Sequence, residues 1–353
     1  MNSVIIHGGL ALVGLVLAYL TWTAKDETER PAEEVTMIEC RPDQLESVTL
    51  FTEKKTVKLS RTREGDTPMS WLEVTRKATK EGDPDKVSAF VGNHNSETYL
   101  EKIAPLRGLR SLGKVEGDVL AEVGLHEDDT HLAYTCAGQQ QTIEIGNSTY
   151  GSGNRYVRVE GKDEVFLLAG SVISDIKAAD SRFMQRQLHR FVPRDVERIA
   201  VSGLGERIDL IQRNRLTPGE AEWVDKAKPG QRNEVFGNWL LRVSRLTATE
   251  YLEPGAPPGS DLEETAKPKA PVSVMQLKYE GDDGELGQLE MQKVEAENAT
   301  HFYARTETTR SWVKLPRSVA NQAERSLYDV LGKEAPPEPE PAPSSAPKPP
   351  GHP

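Results

Sequence analysis

The feature that most constrains the fold of this 353-residue chain is that it repeats itself at an offset of about 150 residues. Pro42, Leu45, Glu46, Val48 and Leu50, followed by Val57 and Leu59, return as Pro193, Val196, Glu197, Ile199 and Val201, followed by Ile208 and Leu210. Tyr156-Val157-Arg158 returns as Tyr303-Ala304-Arg305, and Ser171-Val172 as Ser318-Val319. A period of this length exceeds any solenoid unit, so each copy is expected to be a domain-sized module with its own core.

Each copy opens with a period-two pattern. Ser47 to Phe51 and Thr56 to Leu59 alternate polar and apolar residues around Glu53-Lys54-Lys55, which reads as a β-hairpin with one buried face. Arg198 to Ser202 and Arg207 to Ile211 repeat it, and the strands at Trp71 to Val74 and Trp223-Val224 come third. Both tryptophans are expected to seal a sheet face. A helical stripe follows in each copy: Tyr99, Leu100, Ile103, Leu106 and Leu112 match Trp239, Leu240, Val243, Leu246 and Leu252. Further strands are expected at Leu132 to Cys136, Thr142 to Ile145, Arg155 to Val159 and Glu164 to Leu168. Their counterparts are Val274 to Tyr279, Gln288 to Met291, His301 to Arg305 and Ser311 to Leu315. Closing helices are expected at Ser171 to Leu188 and Ser318 to Leu331.

The fold class read from this pattern is α+β. Two tandem β-rich modules, mainly antiparallel sheet with packed helices, stand behind an N-terminal transmembrane helix. Val4 to Ala24 is apolar almost throughout and long enough to span a bilayer, so residues 1–24 are read as an uncleaved anchor. Residues 25–38 form a polar stalk, 39–190 the first repeat and 191–332 the second, and 333–353 a Pro-rich disordered tail. Glu253 to Pro271, rich in Pro, Gly and acid, is read as a disordered insertion in the second repeat. The expected location is the inner membrane, single-pass, with the body in the periplasm. Cys40 and Cys136 lie outside any metal-ligand spacing. They are read as two separate buried thiols, with one bridge in an oxidising compartment as the alternative.

These residues also carry a family resemblance. Pro42 with Leu45 and Val48, the Trp71 strand, Val123-Gly124-Leu125, Ile145-Gly146, Tyr156-Val157-Arg158 and Val165 to Leu168 resemble the DUF4340 family, over most of Glu39 to Leu331. Where that family often has a proline after the Gly-Leu pair, this chain has His126-Glu127-Asp128. The resemblance implies a membrane-anchored, exported protein of unknown function. It also implies neighbours among ABC-type transport systems related to gliding motility and auxiliary export.

Chemistry-bearing patterns are sparse. No GxSxG supplies a nucleophile elbow, and Gly151 to Arg155 lacks the Lys-Ser/Thr of a phosphate loop, so it reads as a hairpin turn. The acidic groups at Asp83 and Asp85, at Glu127 to Asp129, and at Asp282, Asp283 and Glu285 lack calcium-loop spacing and read as solvated turns. Asn95 or Ser96 is expected to cap the first helix. The net charge of −11 argues against nucleic acid. No catalytic, cofactor-binding or metal residue is assigned, and no cofactor is expected. The expected function is a non-catalytic binding or scaffold protein, an accessory to an ABC-type transport or envelope system. Its partners are the membrane through residues 4–24 and transport or envelope proteins, with a partner groove expected at the junction of the two modules near Phe191 to Pro193. A hydrolase acting on envelope polymers or peptides in the inter-module cleft and a structural spacer are the alternatives.

Overall fold

The computed structural model describes residues 34–337 except 65–66, 81, 116, 126–129, 216–220, 232 and 298. The apolar run at Val4 to Ala24, most of the stalk, Glu127 to Asp129 and the end of the tail lie outside the described residues. Among those described, no helix is long and apolar enough to cross a membrane.

Along the first copy run β1 (Val35–Ile38), β2 (Leu45–Phe51), β3 (Lys55–Glu64), β4 (Thr67–Arg76), β5 (Lys86–Val91), β6 (Leu106–Gly108), β7 (Arg110–Lys114), β8 (His131–Cys136), β9 (Gln139–Ser148), β10 (Arg155–Val159) and β11 (Glu164–Leu168). The second copy gives β12 (Arg198–Gly203), β13 (Glu206–Gln212), β14 (Trp223–Asp225), β15 (Glu250–Tyr251), β16 (Val272–Gly281), β17 (Gly284–Ala296), β18 (Ala299–Thr306) and β19 (Val313–Lys314). Every expected strand is present, and β10 and β11 fall on the expected residues.

The fold class is corrected: the described residues form predominantly antiparallel sheet with a few short helices, and no helix among them is long and apolar enough to span a membrane. The expected stripe from Tyr99 to Leu112 holds a helix only over His94–Lys102. Pro105 stops it, because proline has no N–H to donate and its ring disfavours helix in the residue before it. Leu106 and Leu112 then enter β6 and β7. In the second copy the helix is Glu234–Val243, and Leu246 and Leu252 fall beyond it. The expected closing helix of the first copy shortens to Gly170–Lys177 and Ala179–Arg182, whereas Arg317–Val330 forms nearly as expected. Asn95 and Ser96 lie inside the first turn of their helix and do not precede it.

Two compact units arise. One gathers the described residues up to Thr62 with Asn95–Arg182; the other gathers Arg63–His94 with those from Phe183 onward. Within the first, strands follow the order β3-β2-β8-β9-β10-β11-β7. Within the second, the order is β14-β13-β12-β16-β17-β18-β19-β15, so seven strands of each unit correspond one to one. Registers correspond as well: Val48 pairs with Leu59 and Tyr134, and Ile199 with Leu210 and Tyr279. These inward positions are buried, each such apolar side chain adding roughly 1.5–3 kcal/mol.

The second unit also holds β4 and β5, an antiparallel pair from Trp71 opposite Val91 to Arg76 opposite Lys86. Gln185 N–H donates to the Val91 carbonyl at 2.9 Å, and Phe90 packs on Tyr251 with ring centroids 5.8 Å apart. Trp71 is half-buried and Trp223 buried, so only Trp223 seals its face fully. Glu253 to Pro271 is ordered, a correction to the expected disorder. Ala256 and Leu262 pack on Leu252, Val294, Tyr303 and Trp312, and the Asp261 carboxylate accepts from the Tyr303 hydroxyl and from Lys314, both at 2.7 Å.

The two cysteines form a disulfide across 96 positions of sequence, where two separate thiols were expected. Spacing along the chain hides this: Leu45 pairs directly with Cys136, and the turn at Pro42 to Gln44 carries Cys40 back over the same strand end.

Candidate ligand cleft

Phe191 to Pro193 line an open cleft of about 1270 Å³, but its residues all belong to the second unit, whereas a groove at the junction of the two modules was expected. Its floor is one face of the sheet, carrying Ile199, Gln212, Trp223 and Tyr279 from β12, β13, β14 and β16. Opposite lies the helix Glu234–Val243, started by Asn233, whose side chain accepts from Val235 N–H at 3.0 Å. The helix buries Phe236, Trp239 and Val243 and presents Asn238 and Leu241 to the cleft. Gly237 lies on the same wall. A Cβ there would meet only the Ala221 carbonyl, at 3.8 Å.

The third wall is the irregular segment Gln187 to Val196. His189, Phe191 and Tyr279 form an aromatic cluster, with His189 centred 4.7 Å from each partner and Phe191 5.0 Å from Tyr279. His189 Nδ1 lies 3.0 Å from the Glu307 carboxylate, which also accepts from Gln288 N–H at 3.0 Å. A carboxylate only accepts, so Nδ1 carries a proton. Nε2 is buried and has no hydrogen-bond partner among the described residues. Burial, and next the Glu307 carboxylate, hold the Tyr279 hydroxyl well above the usual phenol range, so it stays a neutral O–H.

Charge is distributed unevenly here. Arg215 is engaged by Asp282 at 2.5 Å and Glu222 by Arg213 at 3.6 Å, while Asp195 accepts from Val192 N–H at 2.9 Å. Arg190 and Arg194 line the cleft with no ion-pair partner among the described residues. Val192 and Leu241, 48% and 57% exposed, give the rim two apolar contact points.

The first copy shows what the cleft replaces. Tyr134, at the register of Tyr279, donates its hydroxyl to the Ile103 carbonyl at 3.0 Å and is fully buried. The Cys40–Cys136 bridge closes the same strand end, where Leu45 pairs with Cys136. Counting from Pro193 as from Pro42, Phe191 takes the place of Cys40. In the second copy the Tyr279 hydroxyl has no hydrogen-bond partner among the described residues, and an open cleft lies beside it.

A smaller hollow of about 740 Å³ lies in the first unit beside Leu112, Val119, Val123, Asn147 and Tyr156. Its second-copy counterpart, around Tyr303, is covered by the packed insertion.

The other candidate positions remain structural. Gly151 to Asn154 joins β9 to β10 as a hairpin turn. Asp85 accepts from Ala78 N–H at 2.9 Å, and Asp282 is spent on Arg215. Among the described residues no group of three or more His, Cys, Asp or Glu is placed to hold a metal ion. Sequence reasoning pointed to Phe191 to Pro193 for a groove between modules, and missed His189, Tyr279, Arg190 and Arg194. The alternation of β16 was the only signal for Tyr279, and an irregular segment gives none for the others.

Residues 106–271 match the family model described as a domain of unknown function, DUF4340, a narrower span than Glu39 to Leu331. The match begins at β6 and ends just before β16, so it takes part of each copy. No curated protein and no solved structure matches the chain.

Proposed function

Residues 106–271 match the DUF4340 family model, and on that premise we propose that the chain is a non-catalytic binding module working in an oxidising compartment outside the cytoplasm. The observation that carries the reading is the cleft beside Tyr279, open where the first copy is closed by a hydrogen bond and a disulfide. Duplication explains how this arises: one copy keeps the packed arrangement and stability, while the other is free to present a surface. The disulfide supports the compartment, because glutathione and thioredoxin keep cytosolic thiols reduced. In this reading the partner belongs to a transport or envelope assembly. A pure spacer has no use for an aromatic-lined cleft.

Hydrolysis in the cleft is the second reading, motivated by the His189–Glu307 pair, which has the form of an oriented base. Such a base needs a nucleophile or water within reach of Nε2, and Nε2 is buried.

The test is site-specific photocrosslinking in cells. A benzophenone residue in place of Leu241 or Val192, on the cleft rim, should give a discrete adduct that mass spectrometry identifies. The same residue in place of Tyr150, on a hairpin turn of the first unit, should not. Equal labelling at all three positions, or none at the rim, would sink the binding reading.

A further inference from the structure

Resting on the binding reading above, we propose that the cleft receives an acidic polypeptide segment, whose carboxylates meet Arg190 and Arg194 while its apolar side chains lie on the His189–Phe191–Tyr279 wall. Size is the first argument. At about 1270 Å³ and open along one side, the cleft exceeds the usual small-molecule range of roughly 300–1,000 Å³ and suits a length of chain.

Hydrogen bonding is the second. The cleft wall holds an unpartnered hydroxyl on Tyr279, which is neutral and donates readily, beside the His189 ring. An occupant that satisfies it must supply an acceptor. A peptide carbonyl is such an acceptor. The main-chain groups of His189, Arg190 and Phe191 also lack hydrogen-bond partners among the described residues, which leaves the wall able to pair with a second backbone.

Charge is the third. The cleft-facing and neighbouring acids Glu307, Glu222, Glu234 and Asp195 each have a partner within the protein, and Asp282 pairs with Arg215. Arg190 and Arg194 are cleft-lining cations with no ion-pair partner among the described residues, in a chain whose net charge is −11. The chain as a whole repels an acidic peptide. Attraction is therefore confined to this rim, and complementarity of this kind sets orientation and selectivity.

The experiment uses the full-length oxidised protein and fluorescein-labelled heptapeptides that alternate Asp or Glu with Phe, Leu or Val. The same peptides with Asn and Gln in place of the acids serve as comparison, and fluorescence anisotropy reads binding. The acidic peptides should bind about tenfold more tightly than their amide versions, the effect of two rim charge contacts. That advantage should shrink as salt is raised. Arg190→Gln with Arg194→Gln should remove the difference without altering the near-ultraviolet circular dichroism. Gly237→Trp, whose side chain enters the cleft from the helix, should abolish binding of both peptide sets. Equal binding of the two sets, blocked by Gly237→Trp, would overturn the acidic preference and leave the cleft as a binding site. Binding untouched by Gly237→Trp would overturn both. Binding of neither set would overturn the peptide inference, and the photocrosslinks would then judge the cleft independently.

Discussion

Two tyrosines at one register position show how a single hydrogen bond separates the copies. The Tyr134 hydroxyl donates to the Ile103 carbonyl in a buried site, while the Tyr279 hydroxyl looks onto the cleft. Tyr134→Phe leaves that carbonyl buried without a donor, a loss of about 1–3 kcal/mol. Tyr279→Phe should change stability by less than about 0.5 kcal/mol, since no intramolecular bond is lost. Urea denaturation of the two variants checks this, and equal losses would contradict the open state of the second copy. The alternation of β8 and β16 made both tyrosines legible as inward-facing. What each hydroxyl meets depends on where the helix Glu234–Val243 or His94–Lys102 comes to rest, which no local pattern records.

Among the elements, the insertion at Glu253 to Pro271 behaves least as its composition suggests. Pro, Gly and acidic residues weaken local structure, yet Ala256 and Leu262 find an apolar patch and Asp261 finds Tyr303 and Lys314. Desolvation opposes ionisation of Asp261 most strongly, but hydrogen bonds from Lys314 and Tyr303, with the Lys314 charge, outweigh it and hold the carboxyl below its ordinary value of 3.8. A depressed carboxylate stabilises the folded state above its unfolded pKa and loses that contribution as pH falls through the folded pKa. The insertion should therefore stay protected from hydrogen exchange near neutral pH and loosen below about pH 3.8, after correction for intrinsic rates. Asp261→Asn should flatten this pH response. Unchanged protection in the wild-type protein at low pH would show that apolar packing alone holds the segment. The helices teach a related lesson: a 1-4-7 stripe located them, but they begin earlier, at His94 and Glu234, and end earlier, at Lys102 and Val243.

At the scale of the molecule, the disulfide is the largest single restraint that local reasoning did not find. Closing a loop across 96 positions lowers the entropy of the unfolded chain, which corresponds to roughly 4–5 kcal/mol in the chain-entropy account. Cys40→Ser with Cys136→Ser, or reduction of the native protein, should lower the denaturation midpoint by that equivalent. A midpoint insensitive to reductant would remove the main support for an oxidising compartment. The sequence alone determined the duplication, the strands and their inward faces, because alternation and period are properties of short stretches of chain. It also pointed to the neighbourhood of Phe191 to Pro193. Only the tertiary structure decided that Cys40 reaches Cys136, that β4 and β5 group with Tyr251, and that one copy is sealed while the other is open. Those outcomes depend on contacts between residues far apart in sequence, whose geometry is set when sheets and helices pack and is carried by no single segment.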